Sequence, residues 1–171
     1  MPRPVVSSYR IELLREHTRT AFRCGQEALD RYLKEQATQD ARKGVATPYV
    51  LVKPPASDIL GYYTLSSGSI KLGDLPEAVA KELPRYPLVP VTLLGRLALH
   101  EDQHRKGLGE HLLMDALYRC VEVARQIASY AVIVDAIDAD AKTFYEHYDF
   151  TPFPEQPMRL FLPMKTVTRL F

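Results

Sequence analysis

The stretch Leu88 to His100, "LVPVTLLGRLALH", is apolar on both of its alternating faces and leads within a few residues into "HRKGLGEHLLMDAL", His104 to Leu117. A strand with no polar face needs cover on both sides, which places it in the middle of a sheet. Gly95 inside it predicts a bulge or a close backbone approach. From Gly107 the pattern changes to helical spacing, with Leu108, Leu112, Leu113, Ala116, Leu117, Cys120, Val121, Ala124 and Ile127 on the buried side. Central strand, glycine turn and amphipathic helix thus follow one another directly.

Two readings of that turn are open. Either Gly107 simply starts a helix, or the turn holds an anion. The first amides of a helix lack intrahelical acceptors, the helix dipole adds about half a positive charge there, and glycine lets the backbone approach a phosphate closely. Arg105 and Lys106 add two cations at its mouth. The G-x-x-x-x-G-K-[ST] pattern of nucleoside triphosphate sites is absent, and Leu112 stands where a dinucleotide fingerprint needs its third glycine.

The other segments complete a mixed α/β pattern. "VVSSYRIELL" predicts a first strand, rich in β-branched and aromatic residues. "CGQEALDRYLKEQATQDARKG" predicts a helix, with Ala28, Leu29, Tyr32, Leu33, Gln36 and Ala37 at helical spacing and Gly44 as its stop. "VATPYVLVK" and "ILGYYTLSSGSIKL", separated by the turn "PPASD", predict a hairpin. "LPEAVAKEL" predicts a short helix and "SYAVIVDAI" a buried strand. "DADAKTFYEHY" predicts a helix capped by Asp138 or Asp140, and "LFLPMKTV" a last strand. The fold class is α/β, with strand pairs followed by a strand–helix–strand crossover. The whole chain, residues 1–171, is read as one domain, large enough to bury a core.

Composition narrows the function. A net charge of +1 speaks against a strongly basic nucleic-acid binder but leaves room for a local patch. Arg3, Arg10, Arg15, Arg19, Arg23, Arg31, Lys34, Arg42 and Lys43 supply one candidate, interleaved with Glu12, Glu16, Glu27, Asp30, Glu35 and Asp40; on charge alone this is a solvated helix surface. Two cysteines, Cys24 and Cys120, make no disulfide framework, so the expected compartment is a reducing cytoplasm. No apolar run reaches the roughly 20 residues of a membrane span, and "MPRPVVSSYRIELLREH" lacks a signal-peptide core. The histidines show no metal-ligand spacing, so no metal is expected. Ser66 and Ser67 lack a nucleophile-elbow setting.

"GRLALHEDQHRKGLGEHLLMDAL", followed by "AKTFYEHYDF", resembles the GNAT N-acetyltransferase superfamily. The resemblance implies a central mixed, splayed β-sheet flanked by helices. Its [QR]-x-x-G-x-[GA] turn binds the pyrophosphate of acetyl-CoA; here the turn reads H-R-K-G-L-G, so His104, Arg105, Lys106, Gly107, Leu108 and Gly109 would hold it. Pantetheine would pair with the splayed strand at Leu97, Ala98 and Leu99, and Phe144 would lean on the coenzyme. Tyr145 matches the family's general acid, with packing as its bland reading. His104 stands where glutamine or arginine is usual, and Asp149 where glycine usually precedes the final phenylalanine, Phe150; aspartate tolerates left-handed geometry better than most residues.

"AFRCGQEALDRYLKEQATQDARKGVATPYVLV", "ILGYYTLSSGSI", "LPRYPLVPVTLLGRLAL" and "MRLFLPM" further resemble the GNAT toxins of bacterial toxin–antitoxin modules, from Tyr9 to Met164. That implies acetylation of the α-amino group of aminoacyl-tRNA, arrest of translation, a small ribbon-helix-helix antitoxin, DNA contact only through the antitoxin, and a homodimer. Arg31, Lys34, Arg42 and Lys43 would then guide tRNA phosphates. A backbone amide near Leu97 or Leu99 is the expected oxyanion donor. No residue is marked out as the base: His100, Glu101 and Asp102 follow the coenzyme strand, but such a polar cluster is more often an ordinary strand end. A lysine acceptor, with pKa near 10.4, needs a base more than an α-amine at about 7.7–8.0 does. Two rivals remain: the same chemistry on a small amine or protein N-terminus, and a catalytically silent module that binds coenzyme A or serves as an antitoxin corepressor.

Overall fold

A computed structural model describes residues 8–171. Seven strands, β1 (Arg10–Leu13), β2 (Thr47–Val52), β3 (Gly61–Lys71), β4 (Leu88–Leu99), β5 (Ala131–Asp135), β6 (Thr151–Phe153) and β7 (Gln156–Pro163), form one mixed sheet in the order β1-β2-β3-β4-β5-β7-β6. The apolar strand β4 is the middle one, and β4–β5 is the parallel pair expected of a strand–helix–strand crossover. β2 and β3 make the expected antiparallel hairpin. The helices are α1 (Glu27–Arg31), α2 (Ala37–Lys43), α3 (Glu77–Ala80), α4 (Leu108–Ala124), α5 (Ala139–His147) and α6 (Met164–Thr168).

The chain divides into two compact units. The first runs to Ser66 and resumes over Gly95–Tyr118; the second comprises Ser67–Leu94 and Arg119–Phe171. In the first, successive residues of β3 face opposite layers, as a strand requires. Tyr62 donates to the Leu29 carbonyl of α1 at 2.6 Å, while Tyr63 donates to the buried Asp115 of α4 at 2.6 Å. A Cβ on Gly61 would stand 2.9 Å from Leu112 and 3.0 Å from the Ala98 carbonyl, so only glycine lets these elements meet. Gly95 shows the expected close approach: a Cβ there would stand 3.1 Å from Thr64 Oγ1. In the second unit Ile70, Leu75, Val89, Val91, Ile133, Phe153 and Phe161 form a hydrocarbon core.

Several boundaries differ from the sequence reading. The expected first strand begins at Val5, but β1 begins at Arg10; residues 5–7, like Arg3, lie outside the described residues. The helix expected from Cys24 to Gly44 contains a π-helical turn, Tyr32–Gln36, between α1 and α2. Gly44 ends it as expected, in the left-handed conformation at φ 72°. Ile127 is not buried: α4 ends at Ala124, the chain turns through bonds to the Val123 carbonyl, and Ile127 is 72% exposed. The expected last strand "LFLPMKTV" is half strand and half helix. β7 starts earlier, at Gln156, which pairs with Phe153 of β6, while Arg159 faces Asp135 across the β5–β7 ladder; Pro163 stands at the N-cap position of α6.

Candidate active site

The glycine turn lies between a 3₁₀ segment, Glu101–Gln103, and α4. Two of its residues are left-handed, Arg105 at φ 65° and Gly107 at φ 75°. A Cβ on Gly107 would meet nothing within 4 Å, so the dihedral and not crowding requires glycine there. The His111 amide returns a bond to the Gly107 carbonyl at 3.2 Å; the amides just ahead of it are those a helix start leaves without an i−4 acceptor. Arg105 and Lys106 are exposed, with Lys106 Nζ 3.5 Å from Gln103 Oε1. Leu108 is buried, so it offers the turn its backbone only.

The side chain of His104 is turned back. Its Nε2 lies 3.0 Å from the Leu99 carbonyl oxygen, which can only accept, so the ring nitrogen donates. The residue that departs from the usual glutamine or arginine thus ties the turn to the end of β4. The paired register with β5 covers Thr92 to Leu94, β5 ends at Asp135, and β4 runs on to Leu99. Leu97 and Leu99 are half-buried on this overhang, and Ala98 is buried.

The polar group after β4 is a strand end. His100 Nδ1 accepts from the Asp102 amide at 3.1 Å, which leaves Nε2 to donate to the Ala21 carbonyl at 3.0 Å. Both ring nitrogens are thus engaged within the strand end. Glu101 accepts from Arg23 Nε at 2.9 Å.

On α5, Asp138 caps the helix through its bond from the Ala141 amide at 2.8 Å. Tyr145 is 6% exposed, with Phe144 and Phe150 edge-on at 5.3 and 5.4 Å. Burial pushes its phenol well above the ordinary tyrosine value. Asp149, at φ 71°, takes the left-handed conformation where glycine is usual, and the Phe150 amide then bonds the Tyr145 carbonyl at 3.2 Å. Phe144 is half-buried.

The basic residues separate. Arg31 is paired with Glu27 at 2.6 Å, and Lys34 and Lys43 are exposed. Arg42 lines a cleft of about 580 Å³ with Arg15, His17, Arg19 and Thr38. Arg19 is fixed there, donating to the Leu33 carbonyl at 2.9 Å and to Thr38 Oγ1 at 2.6 Å. In the sequence Arg15 and Arg19 are two charges among many, and nothing in residue spacing marks them as neighbours of Arg42. Among the described residues no group of three or more metal-ligating side chains converges, and no helix is long and apolar enough to cross a membrane.

A central strand overrunning its parallel neighbour and a left-handed glycine turn leading into a long helix belong to a fold of the GNAT acetyltransferase class, and α5 separately carries a buried tyrosine. No family model matches the chain. A tRNA-acetylating toxin of Mycobacterium tuberculosis (strain ATCC 25618 / H37Rv) is 38% identical over 151 residues, 88% of this chain and 89% of that protein. A tyrosine-to-phenylalanine mutant of KacT has a TM-score of 0.91 at 30% identity, covering 96% of this chain and 99% of its own. AtaT complexed with acetyl-methionyl-tRNAfMet scores 0.88 at 29% identity, covering 95% and 99%. An AtaT mutant solved with acetyl-CoA and the C-terminus of the antitoxin AtaR scores 0.83 at 26% identity, covering 96% and 98%. The chain belongs to the GNAT toxins of toxin–antitoxin modules.

Proposed function

We propose that the chain transfers acetyl from acetyl-CoA to the α-amino group of aminoacyl-tRNA and so blocks translation. The observation that carries this reading is its likeness, along nearly the full length, to AtaT in complex with acetyl-methionyl-tRNAfMet. The residues fit the co-substrate: the left-handed turn Arg105–Gly107 leaves open space at Gly107, and β4 overhangs with its edge at Leu97–Leu99. In this reading the amides of the turn, with Arg105 and Lys106, hold the diphosphate. His104 contributes by fixing the turn, Leu108 and Gly109 by their backbone, Leu97, Ala98 and Leu99 by pairing with pantetheine, and Phe144 by packing.

Tyr145 donates a proton to the departing thiolate. Its raised pKa keeps it protonated at neutral pH, and the same dry surroundings increase the affinity of a thiolate for that proton. No base is required of His100, because an α-amine at about 7.7–8.0 is appreciably neutral already. The cleft of Arg15, Arg19 and Arg42 offers phosphates a track, with Lys34 and Lys43 as exposed additions and Arg31 already committed to Glu27. A ribbon-helix-helix antitoxin, DNA contact through it alone, a homodimer, a cytoplasmic location and a single functional domain belong to the same proposal.

The test follows radiolabelled acetyl from acetyl-CoA into charged tRNA, with uncharged tRNA as control. Label is expected on charged tRNA alone, and Tyr145→Phe is expected to slow transfer by about 10²–10⁴-fold while leaving the melting temperature nearly unchanged. Label on small amines or protein N-termini instead, or none at all, overturns the proposal.

A further inference from the structure

The proposed reaction makes no use of the charge carried by β4 itself. Arg96 precedes Leu97–Leu99 on β4, half-buried, with its Cζ 3.5 Å from the centroid of the Tyr32 ring. This is well inside the roughly 6 Å range of a cation–π contact. Tyr32 is itself held firmly. Its ring stacks on Tyr62 at 6.3 Å, its hydroxyl donates to Asp40 Oδ2 at 2.8 Å, and it begins the π-helical turn. Asp40 also accepts from Gln36 Nε2 at 2.8 Å. Its carboxyl is held below the ordinary value first by the Gln36 and Tyr32 hydrogen bonds and in smaller part by the charge of Arg96, with which it makes no hydrogen bond. Among the described residues no carboxylate pairs with Arg96 and no acceptor takes a hydrogen bond from it. The fold therefore keeps a guanidinium partly out of water, stacked on a locked ring, with its donors unspent. A phosphate that meets those donors adds charge-assisted hydrogen bonds that Asp40, which acts on Arg96 only through its charge, does not supply.

We infer that Arg96 is a preset clamp for the 3′-terminal phosphodiester of the acceptor RNA. The inference rests on the aminoacyl-tRNA reading above. A planar guanidinium fork matches phosphate oxygens bidentately, and a side chain already fixed by stacking loses less freedom on binding. Position selects the phosphate. Consecutive Cα atoms are about 3.8 Å apart, so Arg96 is rooted beside the amide proposed to polarise the acetyl carbonyl. An acceptor amine brought to that carbonyl carries its terminal phosphodiester only an ester and a ribose away. The coenzyme diphosphate has its own ligands in the turn after β4.

Two acceptors bearing the same amino acid separate this role from a structural one: charged tRNA, and the aminoacyl ester of adenosine, which has no phosphate. For Arg96→Gln the KM for charged tRNA is expected to rise about tenfold or more. Its kcat/KM on aminoacyl-adenosine and its KM for acetyl-CoA are expected to stay within about twofold of wild type. Arg96→Lys, which keeps the charge and loses the fork, is expected to recover only part of the loss. Equal losses on both acceptors, including those from a misfolded variant that Arg96→Lys rescues fully, overturn the clamp in favour of a packing role. A rise confined to acetyl-CoA overturns it in favour of a coenzyme contact, and no change overturns it outright. Failure of wild type on charged tRNA, seen before any variant is compared, overturns the underlying reading and the clamp together.

Discussion

The first unit buries Phe22, Tyr32 and Tyr62 among Leu33, Val50, Val52 and Ile59, whereas the second buries Ile70, Leu75, Val89, Val91, Ile133, Phe153 and Phe161. The tyrosines of the first need partners, and they find them in Asp40 and the Leu29 carbonyl. Those bonds are directional, so they fix where the π-helical turn, Tyr32 and therefore Arg96 lie. The hydrocarbon of the second has no preferred direction; its burial supplies stability. The surfaces differ in the same sense. The first carries the arginine cleft, the second an apolar pocket of about 530 Å³ lined by Leu83, Tyr86, Leu88, Val121, Tyr130 and Met164, among others. One interior thus sets geometry for charged groups, and the other holds the chain together.

That contrast can be broken by substitution. Phe161→Ala, which empties a ring's volume from the hydrocarbon core, is expected to cost about 3–5 kcal/mol in urea unfolding. A loss under about 1 kcal/mol would show that the second interior contributes less than its burial implies. Gly61→Ala, in the first unit, pushes a methyl against Leu112 and the Ala98 carbonyl, and is expected to cost about 1–3 kcal/mol. Gly107→Ala meets no atom, so its expected penalty is only the left-handed strain of about 1–2 kcal/mol. Unequal penalties in that order, read from melting temperatures, would separate crowding from dihedral strain.

The smallest effect is in pH. Burial raises the Tyr62 phenol above its ordinary value. Above about pH 10 the unfolded chain gives up that proton while the folded chain retains it. The unfolded state then binds fewer protons, and stability falls as pH rises. Below the ordinary value both states are neutral and the term vanishes. Melting temperatures between about pH 8 and 11 should fall more steeply for wild type than for Tyr62→Phe. Parallel curves would mean that Tyr62 is not dry.

Much of the frame is legible in consecutive residues. The apolar run at Leu88 places β4 at the centre of the sheet, Gly44 and Asp138 mark helix ends, and the H-R-K-G-L-G turn and the "FYEHYDF" segment locate the expected site. Asp149 stands out as a substitute for glycine, and its φ of 71° is what that position demands. The failures are of another kind. β6 and the start of β7 carry little periodicity, and Ile127 falls on the apolar side of a helix that has already ended.

Period, capping and left-handed turns are set by a residue and its immediate neighbours, so the sequence by itself determined the strand–turn–helix unit, the caps and the turn. The tertiary structure decided what those elements carry. It closed both nitrogens of His100, bound His104 to Leu99, gathered Arg15 and Arg19 beside Arg42, dried Tyr145 and laid Arg96 on Tyr32. Several of these join residues distant along the chain, while burial depends on everything packed around a group; neither is encoded in any short window of sequence.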